Sequence, residues 1–202
     1  MPAIKTIIRS FAVFLILAGC APAFAVPGKN PVYEFLRVEI EKQASAALGR
    51  EVSIGAVSGN LVTSVTLRDV AIARGKKISD GKIIHVRRAR VGYNAIRGAV
   101  ARDMLQALTS IHLEGPDVYV EHGADGSWNF EKLIPMEEGA PGPIPVFRAR
   151  ISVADGRALF VDKKGFAAPL SSDFEMSVKQ IDGAANFSRT DRISFRFSGR
   201  TQ

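Results

Sequence analysis

The chain has 202 residues, 47% hydrophobic and 23% charged, with a formal charge of +7 and a single cysteine. That length supports one domain with a real core, and that composition excludes a disordered chain. One cysteine excludes an intrachain disulfide, and because Lys5 and Arg9 carry two of the excess charges, the remainder is only mildly basic.

Lys5 and Arg9 precede a short apolar run, Phe11 to Ala18, and then small residues. This is the pattern of an export signal over residues 1–25. The run is short for a membrane span, which needs about 20 apolar residues. Three readings fit. Leu17-Ala18-Gly19-Cys20 resembles a lipoprotein lipobox, in which the Cys20 thiol is acylated. Ala23-Phe24-Ala25 is an A-x-A cleavage site. An uncleaved anchor through Val26 is the third. Each exports the following chain across a membrane, and an attached acyl chain would add about 0.8 kcal/mol of membrane affinity per buried CH₂.

Asn30-Pro31 predicts a helix start, with asparagine as N-cap and proline at the first helical position. Val32, Phe35, Leu36, Ile40, Ala44, Ala47 and Leu48 give it one apolar face, and Gly49 suits its C-terminal end. Glu34, Arg37, Glu41 and Lys42 lie on the other face, so packing as a lid on a sheet end is expected.

From Glu51 the pattern turns to period-2 alternation. Val52 and Ile54 open a strand, and Gly59-Asn60 turns. Val65 and Leu67 alternate, then Val70 and Ile72 after a one-residue slip at Asp69, which predicts a bulge. A polar loop follows from Arg74 to Gly81. Ile84 and Val86 alternate, then Ala89, Val91 and Tyr93 after a second slip at Arg87-Arg88. Asn94 to Leu108 has helical spacing. Ile111 to Val120 predicts a hairpin turning at Gly115-Pro116. Gly123 to Gly126 turns again, ahead of Trp128-Asn129-Phe130 and a short helical run to Ile134. The tripeptide is expected to plug a sheet end, with Asn129 bonding turn backbone.

Residues 135–145 hold four prolines and two glycines and read as a linker. This divides the chain into a signal or anchor (1–25), a helix-plus-sheet module (26–134), the linker, and continuing hairpins (146–202). In the last segment Ile151 and Val153 alternate, Asp155-Gly156 turns, and Leu159 and Val161 continue. Strand patterning returns over Leu170 to Ile181 and Arg192 to Ser198. Ile111 to Val120 echoes Ile151 to Val161, which predicts a sheet extended by similar hairpins. The chain reaches Gln202 just after a strand, the pattern of a truncated reading frame.

The alternation supplies candidates for one apolar sheet floor: Val65, Leu67, Ile84, Val86, Ile111, Leu113, Val118 and Val120. Such a floor is either a groove for acyl chains or an ordinary half-buried sheet. Arg87, Arg88 and Arg90, with Lys82 and Arg97, either contact anionic headgroups or form a solvated strand face. No aromatic residue interleaves with these arginines before Tyr93, which speaks against a nucleic-acid platform. His85, His112 and His122 have no metal-ligand spacing, and no nucleophile-elbow, phosphate-loop or paired-carboxylate motif occurs. Neither a cofactor, a metal nor a catalytic group is assigned, and a non-enzymatic role is expected.

The order of these features carries a resemblance. The sequence L-G-R-E-V-S-I-G-A-V-S-G-N-L (Leu48 to Leu61) is followed by L-R-D-V-A-I (Leu67 to Ile72) and R-V-G-Y-N (Arg90 to Asn94). Then come I-H-L-E-G-P-D-V-Y-V (Ile111 to Val120) and D-G-S-W-N-F-E-K-L-I (Asp125 to Ile134). Over residues 31–161 the chain resembles the N-terminal region of AsmA-like and TamB-like envelope proteins of Gram-negative bacteria. The resemblance implies a mainly β, α+β fold. An N-terminal helix would be followed by a twisted antiparallel sheet of stacked hairpins forming a β-groove, with one or two short helices. It further implies a membrane-anchored, periplasm-facing protein that binds or conducts phospholipid between inner and outer membranes, or aids outer-membrane protein assembly. Its partners would be phospholipid or another acyl lipid, the membrane and outer-membrane assembly proteins, and no nucleic acid. The alternative is a structural lipoprotein whose sheet docks a protein partner.

Overall fold

The computed structural model describes residues 30–94, 107–131, 149–163, 174–189 and 192–201. Cys20, the linker at 135–145, Arg97 and the middle of the helix expected over Asn94 to Leu108 lie outside the described residues.

The fold is mainly β. Helix α1 (Pro31–Leu48) leads into strands β1 (Val52–Gly59), β2 (Ser64–Ala73), β3 (Lys82–Tyr93), β4 (Leu108–His122), β5 (Arg150–Asp162), β6 (Phe174–Arg189) and β7 (Arg192–Thr201), with one 3₁₀ turn at Ile78–Asp80. The strands form one open sheet in chain order, β1 to β7. The halves on either side of the linker therefore belong to a single sheet. Among the described residues no helix is long and apolar enough to cross a membrane.

Helix α1 begins and ends where its caps require. The Asn30 side chain accepts the Val32 N–H at 3.0 Å, Pro31 opens the helix, and Gly49 closes it at φ +63°. Val32, Leu36 and Ile40 of its expected apolar face pack on the core, and Tyr33 joins them where Phe35 was expected. Leu36 is buried among Ile54, Val57, Val65, Tyr93 and Ala107, with Val32, Tyr33 and Ile40 around it, whereas Phe35 is 52% exposed.

Two expected turns are absent. Gly115-Pro116 lies inside β4 and Asp155-Gly156 inside β5, and both strands continue through them. Every adjacent pair is antiparallel except β4 and β5, which run parallel, Ile111 beside Ile151 and Val118 beside Ala158. The echo between the two segments is thus a parallel pair of similar strands, in place of two stacked hairpins. Parallel neighbours need a long crossover, which residues 123–149 supply.

The slips have a shared structural origin. Asp69, Gly115, Asp155 and Gln180 all have φ between +52° and +57°. The register skips Gly55, Asp69, Arg87, Gly115, Asp155, Gln180 and Gly199 at one level across successive strands. The result is a transverse seam. In a regular strand, residues three apart face opposite sides. Here Ile54 and Val57 pack the same cluster, as do Leu67 and Val70. Each skipped residue, left-handed at Asp69, Gly115, Asp155 and Gln180, shifts the alternation by one, so the apolar side chains stay on one face across the seam.

Candidate functional site: one apolar face of the open sheet

Residues paired across neighbouring strands present their side chains to the same face. On one side of the seam, one row runs Val57, Leu67, Ala89, Leu113, Val153, Gly183, Phe197. A second runs Gly59, Val65, Val91, Ile111, Ile151, Ala185. On the other side, Ile54, Val70, Val86 and Pro116 make a third row, and Val52, Ile72, Ile84, Val118, Ala158 and Val178 a fourth. Val120 pairs with Phe160 and Phe160 with Met176.

All eight floor candidates fall on these rows. Val65 and Val86 are buried. Leu67, Ile84, Ile111, Leu113, Val118 and Val120 are partly exposed. The helix packs over the β1–β2 end. The first row continues past it to β7 and the second and fourth to β6; the Phe197 ring lies so close over Gly183 that a Cβ there would meet it at 2.2 Å. Six spacings of about 4.8 Å give the sheet a span of about 29 Å across its strands.

The other face carries polar rows in the same half of the sheet. Thr66, Arg90, His112 and Ser152 are register neighbours, as are Arg68, Arg88 and Glu114. Arg88 pairs with Glu114 at 2.9 Å. His112 Nδ1 lies 2.8 Å from Ser152 Oγ, with Glu114 3.7 Å from the far ring nitrogen. That order reverses the nitrogens of a serine–histidine–acid triad, and the trio forms cross-strand polar contacts. Arg87 sits on the seam, lies across Gly115, and reaches Asp155 at 3.4 Å. Of the three headgroup candidates, Arg88 and Arg90 therefore point to the side away from the apolar rows.

At the far end of β4 and β5 a compact cluster closes the sheet. His122 and Asp162 are both buried, 3.0 Å apart, and Trp128 stacks on the His122 ring at 4.5 Å. Trp128 also meets Phe160, while Phe130 is 48% exposed. The tripeptide thus caps the sheet end with the Trp128 ring, against which Phe130 lies at 5.5 Å. Asn129 donates to the Tyr119 carbonyl at 2.9 Å, a strand group where a turn group was expected. Beside it is an open cleft of about 510 Å³ lined by Arg50, Arg74, Glu121, Trp128, Asn129 and Lys163. Its charges are engaged: Lys163 bonds Glu121 at 2.9 Å, and Arg74 lies over the Tyr119 ring at 4.8 Å. The Tyr119 hydroxyl and Lys163 both donate to Glu121 and hold its carboxyl below the usual range. Among the described residues no group of three or more His, Cys, Asp or Glu gathers to hold a metal.

No protein-family model matches the chain, and no curated protein matches it.

Sequence reasoning missed how α1 engages the sheet. Tyr33, Arg37, Glu41 and Ser45 form a stripe at four-residue spacing, and all four bond the outer edge of β1. Ser45 Oγ accepts the Val52 N–H at 2.9 Å and Glu41 Oε1 the Ile54 N–H at 2.6 Å. Arg37 donates to the Ile54 carbonyl at 3.4 Å and Tyr33 to the Gly59 carbonyl. Glu41 also pairs with Arg37 at 2.8 Å. The signal was a polar stripe repeating every four residues beside the apolar one.

Proposed function

We propose that this is a non-enzymatic, membrane-anchored protein of the bacterial envelope that holds acyl lipid along the apolar face of its open sheet. The observation that carries the reading is the apolar row that runs from under α1 through Leu113 and Val153 to Phe197 in β7, with two further rows beside it as far as β6. Their span of about 29 Å exceeds the roughly 15 Å that one leaflet contributes to a bilayer's hydrocarbon core. The seam supports the same reading, because it creases the sheet without moving apolar side chains to the polar face. The export pattern at residues 1–25 supports placement beyond a membrane, and Cys20 supplies an acylation site. The resemblance to AsmA-like and TamB-like proteins supports phospholipid as the cargo class.

Purification of the full-length chain from membranes, followed by solvent extraction and mass spectrometry, tests the cargo. Phospholipid should be retained, and a Leu113→Lys/Val153→Lys variant that keeps its fold should lose it. A folded wild-type protein without lipid would refute the reading. Cys20→Ala should release the protein from membranes; unchanged retention would exclude lipidation as the anchor.

A further inference from the structure

The sheet carries its charge unevenly about the seam, and α1 fixes which end lies toward the export pattern. Tyr33 in the first turn of α1 donates to the Gly59 carbonyl at the end of β1, while Ser45 near its last turn accepts the Val52 N–H at the start of β1. The α1 N-terminus therefore sits at the turn between β1 and β2. Residue 25 precedes Asn30 by five positions, a reach of at most about 18 Å. An anchor formed by residues 1–25 keeps this end of the sheet near the bilayer.

That end is basic. On the polar face Arg68 and Arg88 are register neighbours, Arg90 lies two residues further along β3, and Arg150 lies one row further out, beside Ser110. Like charges side by side destabilise a strand pair, and Glu114 answers only Arg88. Arg68, Arg90 and Arg150 are exposed and make no ion pair among the described residues. The acidic groups nearby lie at or next to the seam or are engaged. Asp69 and Asp155 sit on the seam, Asp155 with Arg87 at 3.4 Å. Asp182 lies level with Glu114 and accepts the Asp155 N–H at 3.0 Å. Glu34 on α1 pairs with Arg37. Outward of the Glu114 row the seven strands carry five arginines and no carboxylate. Beyond the seam the same strands carry four cations and four carboxylates, and the turn there mixes Arg74, Lys76 and Lys77 with Glu51 and Asp80. The basic end also has an apolar tip. Asn60 accepts the N–H groups of Val62, Thr63 and Ser64 at 2.9 to 3.2 Å, and the turn so held leaves Val62 60% exposed.

We infer that this end of the sheet stands on an anionic membrane surface, with Arg90 and Arg150 nearest the lipid phosphates, Arg68 and Arg88 behind them, and Val62 in the headgroup layer. Anionic lipid attracts each cation held within a Debye length of the surface, and the balanced far end gains nothing from the same field. The inference rests on the membrane anchoring proposed above and is independent of whether lipid occupies the apolar face.

The test reconstitutes the full chain in phosphatidylcholine vesicles with and without phosphatidylglycerol. A fluorescent amino acid replaces Val62 at the basic end or Asp125 at the other, and a headgroup-attached quencher reads its distance from the surface. Quenching at position 62 should exceed that at 125, rise with phosphatidylglycerol and fall as salt rises. Arg90→Gln/Arg150→Gln should lose the phosphatidylglycerol-dependent gain without a change in melting temperature, and Arg90→Lys/Arg150→Lys should keep it. Lys82→Gln/Arg157→Gln, an equal loss of charge beyond the seam, should keep it as well. A bound chain with equal quenching at both positions, or with no gain from phosphatidylglycerol, as arginines that meet an acidic protein would give, overturns the inference alone. A chain left in solution by both vesicle types overturns the anchoring and the inference together.

Discussion

Truncating one leucine under the helix and one beyond it separates a covered core from an open face. Leu36 is 5% exposed and sits between α1 and the first strands, among Ile54, Val57, Val65 and Tyr93. Leu36→Ala removes apolar contact and leaves a hole roofed by a helix that is also fastened to β1 by Tyr33, Arg37, Glu41 and Ser45. The fastening limits collapse, so the loss should be about 3 kcal/mol, within the range for enclosed leucines. Leu113 lies on the same face, in register with Ala89 and Val153, but past the helix and partly exposed. Its truncation opens no enclosed cavity and forfeits part of a transfer term, about 1 kcal/mol. Urea unfolding of both variants measures this, with an unchanged m-value confirming that stability alone has moved. Equal losses near 3 kcal/mol would show that the face at Leu113 is a covered core and would refute the open-face account.

Gly115→Val places a β-branched residue at φ +57° with its Cβ 3.1 Å from the Arg87 guanidinium. It should destabilise by about 2 kcal/mol in thermal melts, and Gly115→Asn by less. The Tyr93 hydroxyl is buried without a hydrogen-bond partner among the described residues, and burial pushes its pKa up to about 12. Tyr93→Phe should therefore be neutral or stabilising by up to about 1 kcal/mol, which chemical denaturation will register. The Glu121 carboxyl is held low first by the Tyr119 hydroxyl and then by Lys163. A depressed folded-state pKa contributes stability above the unfolded value and loses it as pH falls through the folded one. Glu121→Gln should thus cost stability at neutral pH, and the gap from wild type should close on acidification in a pH series of melts.

The local chemistry of the fold was legible in the sequence. Asn30, Pro31 and Gly49 bracket α1 because caps act within a few residues. The slips at Asp69 and Arg87-Arg88 were visible because period-2 alternation records which face each side chain takes. What they meant was not visible, since alignment of kinks across strands is a property of register between distant segments. The same limit explains the two misplaced turns. Gly115-Pro116 and Asp155-Gly156 have turn composition, yet pairing to β3 and β6 carries both strands straight on. The parallel pairing of β4 with β5 depends on a crossover whose path local pattern does not encode. The eight floor residues could be named because their alternation is local. That they line up in rows followed only from the register, as did the placement of Arg88 and Arg90 on the opposite face.

The proposed contact of the apolar rows with lipid is open to direct test. Site-specific photocrosslinking in cells tests it, with a photoreactive side chain in place of Leu113 or Val153 on that face, or of His112 or Ser152 on the other. Phospholipid adducts are expected from positions 113 and 153 and none from 112 and 152. Adducts from both faces alike, or only protein adducts from 113 and 153, would contradict it.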